Sequence, residues 1–258
     1  MNSQRGNEWP TDKLSIEVPG SAKPGFTSIF RNRLCPEVEV TNTAYDLFSQ
    51  ARDRSPNTEC CGQRPWDFVK GDFAPKFEWY TYAEIEELRT ALGSGLTQLV
   101  KEGRLGKDLP LTDWCGAYWT NNKPEFQVLF QANNAFSRRT VAIYDSFDAE
   151  NAGYILAHSE ARVVFTTSIH FHKVLSKASE LPHLKVLVLL DKEPPVTVGT
   201  TNAGAVKLPP GQLQMEQVAA SWAKEKGIEV IKYADLINYG RQHLHAHIPP
   251  TSIDAICM

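Results

Sequence analysis

The run 140–144 reads as a strand, and it delivers a phenol and a carboxylate, Tyr144 and Asp145, at its carboxyl end. In open parallel sheets ligands gather beyond the carboxyl ends of the strands, so this pair could hydrogen-bond a substrate there. Aspartate is also a favoured cap for a following helix, and position alone favours that role. Tyr144 and Asp145 are the substrate-proximal candidates, and no residue is assigned a catalytic role. His243, His245 and His247 alternate, which would place all three on one face of a strand. No nearby cysteine completes a ligand set and Pro249-Pro250 marks a connector, so structural use is the better reading and no metal site is expected. His170 and His172 repeat the signal more weakly, while His158 suits a helix end, where a cationic imidazole complements the dipole. Lys123 and Glu125 flank Pro124 at a helix start, a sufficient reason for all three. The sequence holds no G-x-S-x-G, no G-x-x-x-x-G-K-[ST] and no G-x-G-x-x-G after a strand.

The elements that must position these residues emerge from periodicity. Four prolines with little pattern make residues 1–40 an extended arm, and 41–258 then form the main domain. A helix is expected over 42–54, with Ala44, Leu47, Phe48 and Ala51 on one face, followed by a loop over 55–76. Residues 77–82 alternate as a short strand. Thr81 and Glu84 fit a capping box, and Ile85, Leu88, Leu92, Leu96 and Leu99 continue as an amphipathic helix. Gly93 and Gly95 interrupt that face at a cost of roughly 1 kcal/mol each against alanine, which close packing of another element would explain. Strands are expected at 114–119, 140–144, 162–166, 185–190 and 228–232, with helices at 124–136, 149–158, 169–179 and 213–226 and a long loop at 191–212. This alternation implies an α/β fold with a mainly parallel sheet, helices on both faces and right-handed crossovers.

Composition narrows the class. The 258 residues are 42% hydrophobic and 22% charged, ordinary for a globular chain. A net charge of -3 with dispersed basic residues argues against a nucleic-acid partner. No apolar run approaches the roughly 20 residues that span a bilayer, and the polar start lacks a secretory signal's apolar core, so an intracellular protein is expected. The cysteines, Cys35, Cys60, Cys61, Cys115 and Cys257, have no zinc or thioredoxin spacing and are read as reduced and structural.

Several short segments, in order, resemble the long-chain acyl-CoA synthetases, members of the AMP-forming adenylating enzymes. Phe30-Arg31-Asn32 is similar to the family's aromatic-Arg-Asn entry. Phe77 to Tyr82 followed by Leu92-Gly93-Ser94-Gly95-Leu96 resembles its W-x-[ST]-Y and G-S-G-L stretch. Asn122 to Phe126 resembles N-[RK]-P-E-[WF], and Tyr144-Asp145-Ser146 stands where Y-D-T is usual. His158-Ser159-Glu160 through Phe165 is similar to H-[SA]-E … V-F. Phe147-Asp148 replaces the family's common Leu-Gly, which implies a different loop beyond the strand. The family's glycine-rich phosphate loop would begin after Asp254-Ala255-Ile256-Cys257-Met258, so the resemblance implies an N-terminal fragment, inactive alone, with no catalytic or cofactor-binding residue to carry over. For a complete protein it implies conversion of a fatty acid to acyl-CoA through an acyl-adenylate, with ATP, magnesium and coenzyme A. It further implies a peroxisomal, endoplasmic-reticulum or lipid-droplet location, with peripheral membrane association. The alternative is a non-catalytic binding or dimerising module that self-associates through an uncovered face.

Overall fold

The computed structural model describes residues 15–32, 43–67, 70–190 and 220–252. The chain divides into two units, Met1–Thr41 and Asn42–Met258. In the first, β1 (Ser15–Glu17) pairs antiparallel with β2 (Phe30–Asn32), so the described part of the expected arm is a short hairpin. The turns between them use Gly20 and Gly25 at φ of 73° and 81°, a region open to glycine at little steric cost.

The second unit opens with α1 (Ala44–Arg54), where Thr43 and Asp46 form a reciprocal capping box. Next come β3 (Glu59–Gln63), β4 (Trp66–Asp67), β5 (Asp72–Phe73) and β6 (Glu78–Thr81). The expected loop over 55–76 therefore contains three strands. Its Pro, Gly and charge content conceals pairings that are set at a distance: β3 lies antiparallel to β6, with Gly62 opposite Trp79. A Cβ at Gly62 would lie 2.6 Å from the Trp79 ring, so the indole needs that glycine beneath it.

Then α2 (Tyr82–Lys101) runs from the expected Thr81–Glu84 box, with Thr81 N–H donating to Glu84 Oε2 at 2.7 Å. Ile85, Leu92, Leu96 and Leu99 are buried, each such side chain stabilising by about 1.5–3 kcal/mol. Beyond it lie β7 (Cys115–Trp119), α3 (Pro124–Ala135), β8 (Arg139–Ile143), α4 (Ala149–His158), β9 (Val163–Thr166), α5 (Ser168–Ser176) and β10 (Val186–Leu189). The expected loop 191–212 and helix residues 213–219 lie outside the described residues, and 220–225 are helical, here α6. The chain closes with β11 (Glu229–Lys232) and α7 (Tyr233–Gln242). That last helix was not foreseen, because Gly240 and the alternating histidines mask its short apolar face of Leu236 and Ile237.

The five strands expected from residue 114 onward form one sheet in the order β11-β10-β9-β7-β8, every pair parallel. One face packs on α1, α2, α3 and α7 through residues such as Tyr118, Phe165 and Val188. The other packs on α4, α5 and α6 through Ala117, Val164 and Leu187. Consecutive residues thus feed opposite cores, as the strict two-residue period of a strand requires. The glycines in α2 are explained by close approach: a Cβ at Gly95 would lie 2.7 Å from the Leu236 carbonyl of α7, and one at Gly93 would lie 2.1 Å from the Phe136 ring.

Candidate functional site

The order of strand addition reverses between β7 and β9: β7 leads out to β8 at the edge, and β8 returns across to β9. In doubly wound sheets that switch opens a crevice at the carboxyl ends of the two central strands. At that end of the sheet lie Thr120 after β7, Thr166 at the end of β9 with Thr167 after it, and Tyr144 and Asp145 after β8. Thr166 Oγ1 donates to the Trp119 carbonyl at 3.0 Å and ties the two central strands together.

The loop that carries the two candidates is pinned at three points. Trp119 Nε1–H donates to the Tyr144 carbonyl at 3.1 Å. His170 Nε2 lies 2.6 Å from Asp145 Oδ1, and Lys173 Nζ donates to the Phe147 carbonyl at 3.4 Å. The His170 ring stacks on the Trp119 indole, with centroids 4.6 Å apart and planes 7° from parallel. Lys173 sits 5.6 Å from the centre of the same indole, so one aromatic platform orders two cationic-capable side chains of α5. The result holds Tyr144 75% exposed and leaves the Asp145 side chain 57% exposed while His170 is buried.

The capping role weighed for Asp145 belongs instead to Asp148, whose Oδ1 accepts from Asn151 N–H at 2.8 Å and starts α4. Asp145 is thereby free for its long-range partner, His170, which sequence reasoning missed because 25 residues and a helix separate them. What the arrangement offers chemically is one exposed carboxylate oxygen beside an exposed phenol ring, a place to accept a hydrogen bond from a ligand.

Other buried polar groups collect near this end of the sheet. The hydroxyl of Thr167, which precedes α5, and His170 Nδ1 are buried without a partner among the described residues. So are Glu125 Oε2 in the first turn of α3 and the Tyr233 hydroxyl at the start of α7. Burial, and then the Glu125 carboxylate, push the Tyr233 phenol well above its ordinary value and raise Tyr80 in the same way. Lys123 and Pro124 open α3 as expected, and His158 closes α4, stacked 5.8 Å from Tyr154.

The remaining histidine candidates do not converge. His243, His245 and His247 spread along a strap that follows α7, and each has a separate partner. Among the described residues no group of three or more His, Cys, Asp and Glu could hold a metal ion. Nor do these residues present a glycine-rich loop that would cradle the phosphates of a nucleotide. A groove of about 630 Å³ beside the edge strand β11 is lined by Leu99, Leu189, Leu236 and the Arg104–Glu229 ion pair.

Comparison with known proteins places this geometry. Residues 50–233 match the model of a family described as AMP-binding enzyme. The chain is 31% identical to "Acyl-CoA ligase 891, peroxisomal" of Penicillium brevicompactum over 69% of its own length and 25% of the relative's. It is 25% identical to "Long chain acyl-CoA synthetase 6, peroxisomal" of Arabidopsis thaliana, over 93% of this chain and 30% of that one. It therefore spans about a quarter to a third of the curated relatives it matches. Among solved structures, the adenylation domain of the carboxylate reductase from Mycobacterium chelonae superimposes with a TM-score of 0.64 at 15% identity, covering 85% of this chain and 32% of that one. The corresponding domain of the Segniliparus rugosus carboxylic acid reductase gives 0.61, over 83% and 32%. With an adenylating-domain fold and a family match across most of its second unit, the chain belongs to the AMP-binding enzymes.

Proposed function

We propose that this chain forms part of an AMP-forming ligase that activates long-chain fatty acids as acyl-CoA thioesters. The observation that carries the reading is its alignment with acyl-CoA ligases and long-chain acyl-CoA synthetases over 69% to 93% of its length. In that reaction a fatty acid carboxylate oxygen attacks the α-phosphorus of ATP and pyrophosphate leaves. The thiol of coenzyme A then attacks the acyl carbon and AMP leaves. Magnesium would accompany ATP. The reading assigns this chain the wall of the site and not its phosphate chemistry. Tyr144 and Asp145 stand nearest the substrate, at the switch-point crevice where α/β sheets take their ligands. The peroxisomal designation of both relatives extends the proposal to a peroxisomal location.

The test reads the transcript past the Met258 codon and assays its whole translation product for ATP- and CoA-dependent consumption of palmitate. Formation of palmitoyl-CoA and pyrophosphate supports the reading; a complete product that binds neither ATP nor fatty acid overturns it in favour of the non-catalytic module. The 258-residue chain alone is expected to give no ATP–pyrophosphate exchange with palmitate, and detectable exchange would show that the phosphate chemistry lies within it.

A further inference from the structure

Residues 243–248 leave α7 and run back across α2 to the end of α3, held by few backbone contacts. His245 N–H donates to Ser94 Oγ at 3.0 Å, and Ile248 N–H donates to the Ala135 carbonyl at 2.8 Å. Ser137 Oγ donates to the Ile248 carbonyl at 2.6 Å. Two imidazoles supply the rest. His247 Nε2 is 2.9 Å from Thr90 Oγ1, and Nδ1 is 3.1 Å from the Tyr45 hydroxyl. The Thr90 proton is already committed to the Glu86 carbonyl at 2.8 Å, so Thr90 can only accept. That leaves the proton of a neutral His247 on Nε2 and makes Nδ1 the acceptor for Tyr45. His245 repeats the assignment: the Lys101 ammonium donates to Nδ1 at 3.3 Å, and Nε2–H donates to Gln98 Oε1 at 3.1 Å.

We propose that the 243–248 strap is a pH-sensitive latch, closed on α2 while His245 and His247 are neutral and released when they take up protons. Cations on the neighbouring elements oppose protonation. His247 faces Arg89 of α2 and Arg52 of α1, while the one facing carboxylate, Glu86, is already shared between those arginines at 2.7 and 3.4 Å. Its phenol partner Tyr45 in turn lies under the Arg89 guanidinium, at 4.9 Å. His245 faces Lys101 of α2, Arg138 before β8 and its own neighbour His243, with Gln98 and Ser94 uncharged. Burial first, then Arg89 for His247 and Lys101 for His245, hold both imidazoles below the ordinary histidine value. The sign follows: the folded latch binds fewer protons than the free strap, so its hold is complete above the ordinary value and lost as pH falls below it.

Hydrogen exchange on the whole chain at about pH 7.5 and about pH 5, corrected for intrinsic rates, tests this. The amides of His245 and Ile248 are expected to lose about tenfold in protection at the lower pH while those of α2 keep theirs. Equal strap protection at both values, or a parallel loss throughout α2, overturns the latch. A His245→Gln/His247→Gln variant keeps hydrogen-bonding groups and cannot titrate. Its strap should respond equally at both pH values, and a loss like that of the wild type overturns the proposal. Should the variant not close at all, the wild-type imidazole resonances decide: Nε2–H tautomers titrating below about 6.5 support the latch, and ordinary titration refutes it.

Discussion

The loop 144–148 and the strap 243–248 are both irregular segments fastened to a helix through a buried or half-buried histidine, yet their partners are opposite in kind. His170 meets a carboxylate, Asp145, over an aromatic platform. His247 meets a phenol and a hydroxyl in a setting dominated by Arg89. An imidazole buried beside guanidinium groups is disfavoured in its charged form, and His247 lies below the ordinary histidine value for that reason. The same residue type therefore serves as a fixed fastening in one segment and as a charge-sensitive one in the strap.

The largest way to break this comparison is to remove the platform. Trp119→Ala deletes the ring under His170 and the donor to the Tyr144 carbonyl, and should destabilise the fold by about 4 kcal/mol, read as a denaturant midpoint shift. Its exchange signature should centre on 144–148 and spare the strap. Gly240→Ala attacks the other side. A Cβ there would fall 1.8 Å from the Ala91 carbonyl of α2, backbone that cannot swing away, so a loss of about 3 kcal/mol is expected, with the strap freed first. Smallest is Asp148→Ala, which removes the α4 cap at about 1 kcal/mol and should leave the Asp145–His170 contact intact. If Asp148→Ala instead frees Asp145, the loop is held by its helix and not by α5, and the contrast with the strap dissolves.

Residues within one element were legible in the sequence; contacts between distant elements were not. Thr81 and Glu84 announce α2 because a capping box is a four-residue event, and β9 and β10 were found because buried strands are continuous apolar runs. Gly93 and Gly95 signalled close packing but could not say against what, since Phe136 and α7 lie far along the chain. The β3–β6 pair was lost because Glu59–Gln63 has strand geometry imposed by its partner and not by its own propensity. At the candidate site, Tyr144 and Asp145 were reachable from their place at a strand end. Their fastening by Trp119, His170 and Lys173 depends on sheet order, which local periodicity does not encode.

A consequence for synthesis follows from the sheet order. The β7–β8 pair needs only one helical crossover, but the β7–β9 pair that flanks the crevice joins residues such as Trp119 and Thr166, 47 positions apart. Longer closures come later in folding. A nascent chain released as far as Ile143 holds two docked strands and an unfilled flank. The switch point comes into being only when β9 slides in on the far side of β7, so this part of the sheet is built after the β8 edge.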